Sequence, residues 1–273
     1  MKKILLVSDG THFSEGAFEF ARILNERKPI LLTGVFLPQI DYANLWSYGG
    51  GVNGPLFIPL IENSDAEDIA NNIEHFQSLC IQNNIDYRVH KNFSDLVLPG
   101  LKKETRFADL LIIGSESFYE NVGSAQPNEF LQDALHEVEC PVVVVPENYS
   151  FPRSNILAYD GSESSVYAIK QFACLLPELA SNTTMLVYVK EDEEKEIPDK
   201  VLIEELAARH FRDLSLLKLD GNPSKYFNTW LQEKKSAVVV SGSFSRKGIA
   251  RLFHKSFAAD IIQSHRVPLF IAH

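Results

Sequence analysis

Short unbroken apolar runs alternate along the chain with stretches whose apolar residues recur at helical spacing. In the first half Ile4 to Val7 is such a run, as expected for a strand buried on both faces. Phe13, Ala17, Phe20, Ala21 and Leu24 then share one helix face, with Thr11 or Ser14 available as the cap. Ile30 to Leu37 predicts a second strand. Residues 64–82 predict a helix carrying Ile69, Ile73, Phe76, Leu79 and Cys80 on one side. A strand over Tyr87 to His90, a helix over 94–106, a strand over Leu110 to Ile113, a helix over 128–137 and a strand over Val142 to Val145 complete this half. The second half repeats the rhythm in fewer residues. Its strands are expected at Ile156 to Tyr159, Met185 to Val189, Leu214 to Leu219, Ala237 to Ser241 and Pro268 to Ala272, with helices at 163–176, 199–210, 223–234 and 249–264. Strands separated by helices imply right-handed crossovers and a parallel sheet. The fold class is therefore α/β: two tandem doubly wound domains, each with a five-stranded parallel sheet, at 1–147 and 154–273. Sheets of this kind bind ligands beyond the carboxyl ends of their strands, where strand order reverses.

The repetition extends to residue identity. Leu5-Leu6-Val7-Ser8-Asp9-Gly10-Thr11 returns as Ile156-Leu157-Ala158-Tyr159-Asp160-Gly161-Ser162. Asp109 to Ser115, ending Ile-Ile-Gly-Ser, returns as Ala237 to Ser243, ending Val-Ser-Gly-Ser. Cys140-Pro141 followed by four valines matches Val267-Pro268 followed by Leu-Phe-Ile-Ala. Three matches in one order mark an internal duplication. The polar connection Pro146 to Arg153, with two prolines, separates the copies. It is too short to let them wander apart.

Two segments break the parallel. Pro38 to Asn63, with Trp46, Tyr48, Gly49-Gly50-Gly51 and Pro55, has no counterpart in the second half and is longer than an ordinary connection. It is either a binding loop or lid, or an exposed excursion whose aromatics pack on their own domain. The acidic run Glu191-Asp192-Glu193-Glu194 reads as a solvated loop.

At 273 residues and 45% hydrophobic content the chain suits two ordinary soluble domains. Its net charge of -10 argues against a phosphate-tracking nucleic-acid surface. The apolar run after Met1-Lys2-Lys3 is too short for a signal peptide, and no stretch approaches the ~18 apolar residues of a membrane span. Cys80, Cys140 and Cys174 lack metal or redox spacing and read as reduced, mostly buried thiols of a cytoplasmic protein. The eight histidines are scattered, without the pairing that ligates metal. His12 lies close to Asp9 in sequence and reads as a solvated loop residue or a ligand contact. No nucleophile elbow or Walker A motif is present. Ser162 and Ser165 follow Asp160 as helix caps rather than nucleophiles.

Asp-Gly-Ser after a first strand, Gly-Ser after a fourth and x-Pro before a final apolar strand, all twice, resemble the universal stress protein family over essentially the whole chain. The resemblance implies a Rossmann-like domain of the adenine nucleotide alpha hydrolase-like type, built twice. It also implies a cytoplasmic, bacterial-type stress-response module rather than an enzyme. Some members bind ATP through Gly, two residues, Gly, nine residues, Gly and Ser or Thr after the fourth strand. Glycines admit the phosphates to the backbone, and helix N-terminal amides bind them. On that pattern the second-half ligand residues are Asp160, Val189, Gly242, Ser243, Ser245 and Ser256. The first-half set, vestigial, is Asp9, Val35, Gly114 and Ser115, and both sets depart from the signature. In the first, Ser117 replaces a glycine, Phe118-Tyr119-Glu120 is bulky and acidic, and Asn128-Glu129 stands at the closing Gly-Ser, where a carboxylate repels phosphate. In the second, Ser245 and Lys255 replace glycines, while Ser256 keeps the hydroxyl at unchanged spacing. Arg246, Lys247, Arg251, His254 and Lys255 make that loop basic. It reads as a nucleotide site with ATP as the candidate cofactor, as a site for another anion, or as a solvated helix face. The resemblance further implies pairing through the last strands, Val142 to Val145 and Leu269 to Ala272, as an intramolecular pseudo-dimer, with a homodimer as a further option.

Overall fold

The computed structural model describes residues 1–37, 46–48, 56–58, 63–91, 97–116, 118, 129–188, 196–218, 231, 234, 236–242, 261–262 and 264–272. The first half runs β1 (Lys2–Ser8), α1 (Glu15–Arg27), β2 (Ile30–Phe36), β3 (Trp46–Tyr48), β4 (Leu56–Ile58), α2 (Asn63–Gln82), β5 (Asp86–Lys91), α3 (Val97–Thr105), β6 (Leu110–Gly114), α4 (Glu129–Glu137) and β7 (Val142–Val145). The second runs β8 (Ser154–Tyr159), α5 (Glu163–Leu175), α6 (Pro177–Ala180), β9 (Thr183–Tyr188), α7 (Lys200–His210), β10 (Leu214–Lys218), β11 (Ala237–Gly242) and β12 (Leu269–Ala272).

Ten strands form one sheet in the order β10-β9-β8-β11-β12-β7-β6-β1-β2-β5. Within each half all neighbours are parallel, as the alternating pattern implies. The halves meet where β12 runs antiparallel to β7, with Leu269 opposite Val144, Phe270 opposite Val143 and Ile271 opposite Val142. Central strands are apolar throughout because both of their faces are covered: every residue of β6 and β7 is buried. The outermost strand β5 instead carries Asp86, Arg88, His90 and Lys91 and is half exposed, which suits an unpaired edge.

One face of the sheet buries Ala17, Phe20 and Leu24 of α1, Ile69, Ile73 and Phe76 of α2, and Ile169 and Phe172 of α5 in a single core that spans both halves. The opposite face buries Leu101 of α3, Leu131 and Leu135 of α4, and Leu231, Ile261 and Ile262 of the second half. On the first face the halves are also tied by polar contacts. Lys2 reaches Glu178 of α6 at 3.3 Å, and Arg27 donates to the Glu178 carbonyl at 3.2 Å while lying over the Phe151 ring.

Two elements lie beyond the expectations. Within the segment 38–63, β3 and β4 pair antiparallel with Trp46 opposite Ile58 and Tyr48 opposite Leu56. Two β-forming triplets around a glycine-rich stretch account for the ribbon. The short α6 starts on Pro177, whose fixed φ favours the first helical position. As expected of mostly buried thiols, Cys80 and Cys140 are buried, and Cys174 is exposed. The helices expected over 223–234 and 249–264 lie mostly outside the described residues, as does the run 191–194. No helix of the described residues is long and apolar enough to cross a membrane.

Candidate functional site

At the carboxyl edge of the first half, β1 ends in a turn whose Gly10 has φ of 99°, a conformation open to glycine. Asp9 is buried and directed back into that turn. Its Oδ1 accepts the N–H groups of Thr11 at 3.0 Å and His12 at 2.8 Å, and Oδ2 meets His12 Nδ1 at 2.8 Å. From α2, Asn72 Nδ2 donates to the carbonyls of Gly10 at 2.9 Å and Thr11 at 2.8 Å. His12 is therefore a hydrogen-bond partner of Asp9 rather than a merely solvated loop residue. The carboxylate implied to face a ligand is taken up by its own chain.

The neighbouring groups are engaged too. Val35 is fully buried on β2 opposite Val7. Gly114 ends β6 opposite Val145, and Ser115 beside it is 1% exposed. Ser115 Oγ donates to Glu116 Oε2 at 2.5 Å and lies 2.9 Å from Nδ1 of His265, a second-half residue. Glu116 Oε2 also accepts the Glu147 N–H at 3.0 Å. Glu147 in turn sends its carboxylate to the start of α1, where Oε1 accepts the Ser14 hydroxyl and Oε2 the Gly16 N–H at 2.9 Å. A helix N-terminus that would attract an external anion already holds an internal one. Beside it, burial pushes the Tyr149 hydroxyl pKa upward, with Glu19 adding to the effect.

The second half is arranged differently. Gly161, with φ of 81°, repeats the Gly10 turn. Asp160 is exposed, and its described hydrogen bond is the Ser162 N–H at 2.9 Å. The helix cap is Ser162, two residues after Asp160, whereas in the first half it is Ser14, five after Asp9. The longer first-half turn supplies the His12 that closes on Asp9, and the shorter turn has none. Gly242, at the end of β11, touches the first turn of α5. A Cβ there would lie 2.6 Å from the backbone of Ser164 and Ser165, so close packing alone demands glycine. A cavity of about 490 Å³ opens beside this turn, lined by Tyr159, Ser162, Val166, Lys170, Asp199 and Leu206 among others. Burial raises the Tyr159 pKa, reinforced by Asp199 and Asp160, and its hydroxyl donates to the Pro198 carbonyl at 2.9 Å.

The structure thus brings Asp9, Val35, Gly114 and Ser115 together on one edge, and Asp160 and Gly242 on the other. Val189, Ser243, Ser245, Ser256 and the basic residues from Arg246 to Lys255 lie outside the described residues, as do Ser117 and Asn128; Glu129 opens α4. Sequence reasoning missed Glu116, Glu147 and His265. Each acts on a partner that no local spacing pairs it with. No group of three or more metal-ligating side chains occurs among the described residues.

No protein-family model matches the sequence, and no curated protein matches it. The structure matches a universal stress protein from Archaeoglobus fulgidus with a TM-score of 0.67, over 99% of this chain and 96% of that one, at 17% sequence identity. This is the universal stress protein fold. A functionally unknown protein from Pseudomonas aeruginosa matches with a TM-score of 0.59, over 99% of this chain and 92% of that one, at 11% identity. Because the match runs over nearly the full length of both chains, the universal stress protein fold here takes in both halves and their junction. Fold and site remain separate matters, since one fold carries many functions.

Proposed function

We propose that the chain is a tandem universal stress protein acting as a non-catalytic, cytoplasmic binding or regulatory module, with units at 1–147 and 154–273 and two unequal, degenerate nucleotide sites. The observation that carries this reading is the self-satisfied first-half edge. Asp9 is held by Thr11, His12 and the His12 ring, and Ser115 by Glu116 and His265. A nucleotide would have to displace these bonds before making its own, and a buried donor or acceptor left unpaired costs about 1–3 kcal/mol. The antiparallel register of β7 and β12 supports an intramolecular pseudo-dimer, with no further chain needed to cover either strand.

A second reading keeps ATP as ligand of the second half. It is favoured by Asp160, exposed and with a single described hydrogen bond, beside an open cavity. Isothermal titration of the full chain with ATP and AMP separates the two. The leading reading expects no micromolar binding to the wild type. Micromolar ATP affinity that disappears in Asp160→Ala overturns it and establishes the second.

A further inference from the structure

The cavity of about 490 Å³ beside the second-half turn runs between two helices, and its volume is in the range of small-ligand sites. Its walls are matching stripes. On α5 they are Glu163, Val166, Tyr167 and Lys170. On α7 they are Asp199 at the N-cap, then Leu202, Ile203 and Leu206. The two sets share one spacing, which puts each on a single helix face. β8 and β9 are parallel neighbours, so the helices that return from them run in the same direction. Their starts adjoin. The Pro198 ring would lie 3.0 Å from a Cβ at Gly161, and the Pro198 carbonyl accepts the Tyr159 hydroxyl at 2.9 Å. Glu163 and Asp199 therefore stand at one end of the groove, and Lys170 lies about 10 Å further along α5. Besides burial, Asp199 and then Asp160 raise the Tyr159 pKa, which brings a third carboxylate to the same end. Glu163 and Asp199 are exposed, and neither carboxylate has a hydrogen-bond or ion-pair partner among the described residues. Their sequence neighbours Glu196 and Lys200 carry opposite charges and do not line the groove. Two helix N-termini supply about half a positive charge each, so three carboxylates leave this end net negative. Past it the walls are apolar. Tyr167 and Leu202 are large side chains exposed at the surface, and both flank this recess over buried Ile203. Exposed apolar side chains gathered on one recess mark a binding surface.

We propose that this groove binds a small organic amine with an apolar body, its ammonium at the Glu163 and Asp199 end and its aromatic or aliphatic body along Tyr167, Leu202 and Leu206. The apolar body supplies the burial and the carboxylates fix its direction. A carboxylate-bearing ligand of the same shape meets repulsion at that end. So does a nucleotide's phosphate chain. The site lies between the helices and stands whether or not the strand edges at Asp9 and Asp160 bind nucleotide.

The test is calorimetric titration of the full chain, at constant ionic strength, with phenethylamine and with 3-phenylpropionate, which share a body and differ in charge. Saturable millimolar or tighter binding of the amine is expected, with the acid at least about tenfold weaker, and this comparison needs no variant. Asp199→Asn weakens the amine about threefold or more, as loss of one partly exposed ion pair requires, and adding Glu163→Gln weakens it further. Tyr167→Ala weakens it through the body, and Lys170→Ala does not weaken it. These side chains are exposed, so the variants keep the wild-type circular dichroism. Absence of saturable amine binding overturns the proposal. So does amine binding that survives the Glu163→Gln, Asp199→Asn double variant. Tighter binding of the acid, lost in Lys170→Ala, also overturns it and assigns the groove to an anion.

Discussion

Glu147 Oε2 accepts the backbone N–H of Gly16 at 2.9 Å. A residue just past β7 thereby caps a helix that began more than a hundred residues earlier, together with the Ser14 hydroxyl. Caps and helix-dipole partners of this type contribute about 1–2 kcal/mol. Glu147→Ala is expected to destabilise the protein by about that amount, and Glu147→Gln by less, since its amide oxygen still accepts. Urea unfolding of the full chain measures both. An unchanged midpoint for Glu147→Ala would mean that water replaces the carboxylate without loss.

Gly242→Ala tests whether this glycine serves packing. Its Cβ would meet the Ser164 and Ser165 backbone at 2.6 Å, and neither a helix turn nor a central strand yields readily. Overpacking of this kind costs about 1–3 kcal/mol. A drop in unfolding temperature without any ligand is expected. A neutral substitution would shift the explanation for the glycine from packing to ligand approach.

The three thiols should separate by reactivity. Burial pushes the pKa of Cys80 and of Cys140 up to about 12, with Asp109 adding to the effect at Cys140. Only thiolates attack disulfide reagents, so in native protein at neutral pH Cys174 alone is labelled, and all three are labelled after denaturation. Labelling of Cys80 or Cys140 at the rate of Cys174 would contradict their burial.

Those same thiols set an alkaline limit. Below about pH 9 they are protonated in folded and unfolded chains alike, and stability is unaffected. Above it the unfolded chain releases these protons first, so stability falls until the folded values near 12 are reached. Buried Tyr149, also raised, acts in the same direction. Unfolding temperature is expected to decline from about pH 9 to about pH 10.5, and Cys140→Ala should flatten the decline even if it lowers the starting value.

Tyr188 closes β9 with a buried hydroxyl that has no hydrogen-bond partner among the described residues. Its ring lies 6.5 Å from that of Tyr159, whose own hydroxyl is satisfied by Pro198. Tyr188→Phe keeps the packing and removes the orphan oxygen. It should leave stability unchanged or raise it by up to about 1 kcal/mol. A clear loss would reveal a partner for that hydroxyl.

Much of the sheet is legible in the sequence because its central strands are buried on both faces. Runs such as Leu110 to Ile113 and Val142 to Val145 have no alternative reading as amphipathic helix, and the repeated Asp-Gly turns mark where each copy begins. The candidate site is legible only as positions. Asp9 and Asp160 are equivalent in the repeat, yet one is enclosed and the other exposed. The difference comes from the extra residues before Ser14, which carry His12 back onto Asp9. The reach of Glu147 to α1 and of His265 to Ser115 follows from how the sheet is assembled. Among the described residues, neither side chain has a partner at a spacing that a helix or strand would make local. The β3–β4 ribbon escaped for a simpler reason: three-residue strands are too short to show a period.

The antiparallel junction of β7 and β12 has a consequence for how the copies could diverge. A dimer of identical separate chains must be symmetric, so every contact across its interface occurs twice and a change on one side is forced on the other. Covalent fusion removes that constraint. Three residues before the proline that precedes the last strand, the second half has His265 and the first has Val138; at the next position Arg266 stands against Glu139, which is paired with Arg106. The imidazole contact with Ser115 at 2.9 Å is accordingly one-sided. A chain that always contains one of each half can alter one flank of its own interface while leaving the other intact, as at His265, whose counterpart in the first copy is Val138.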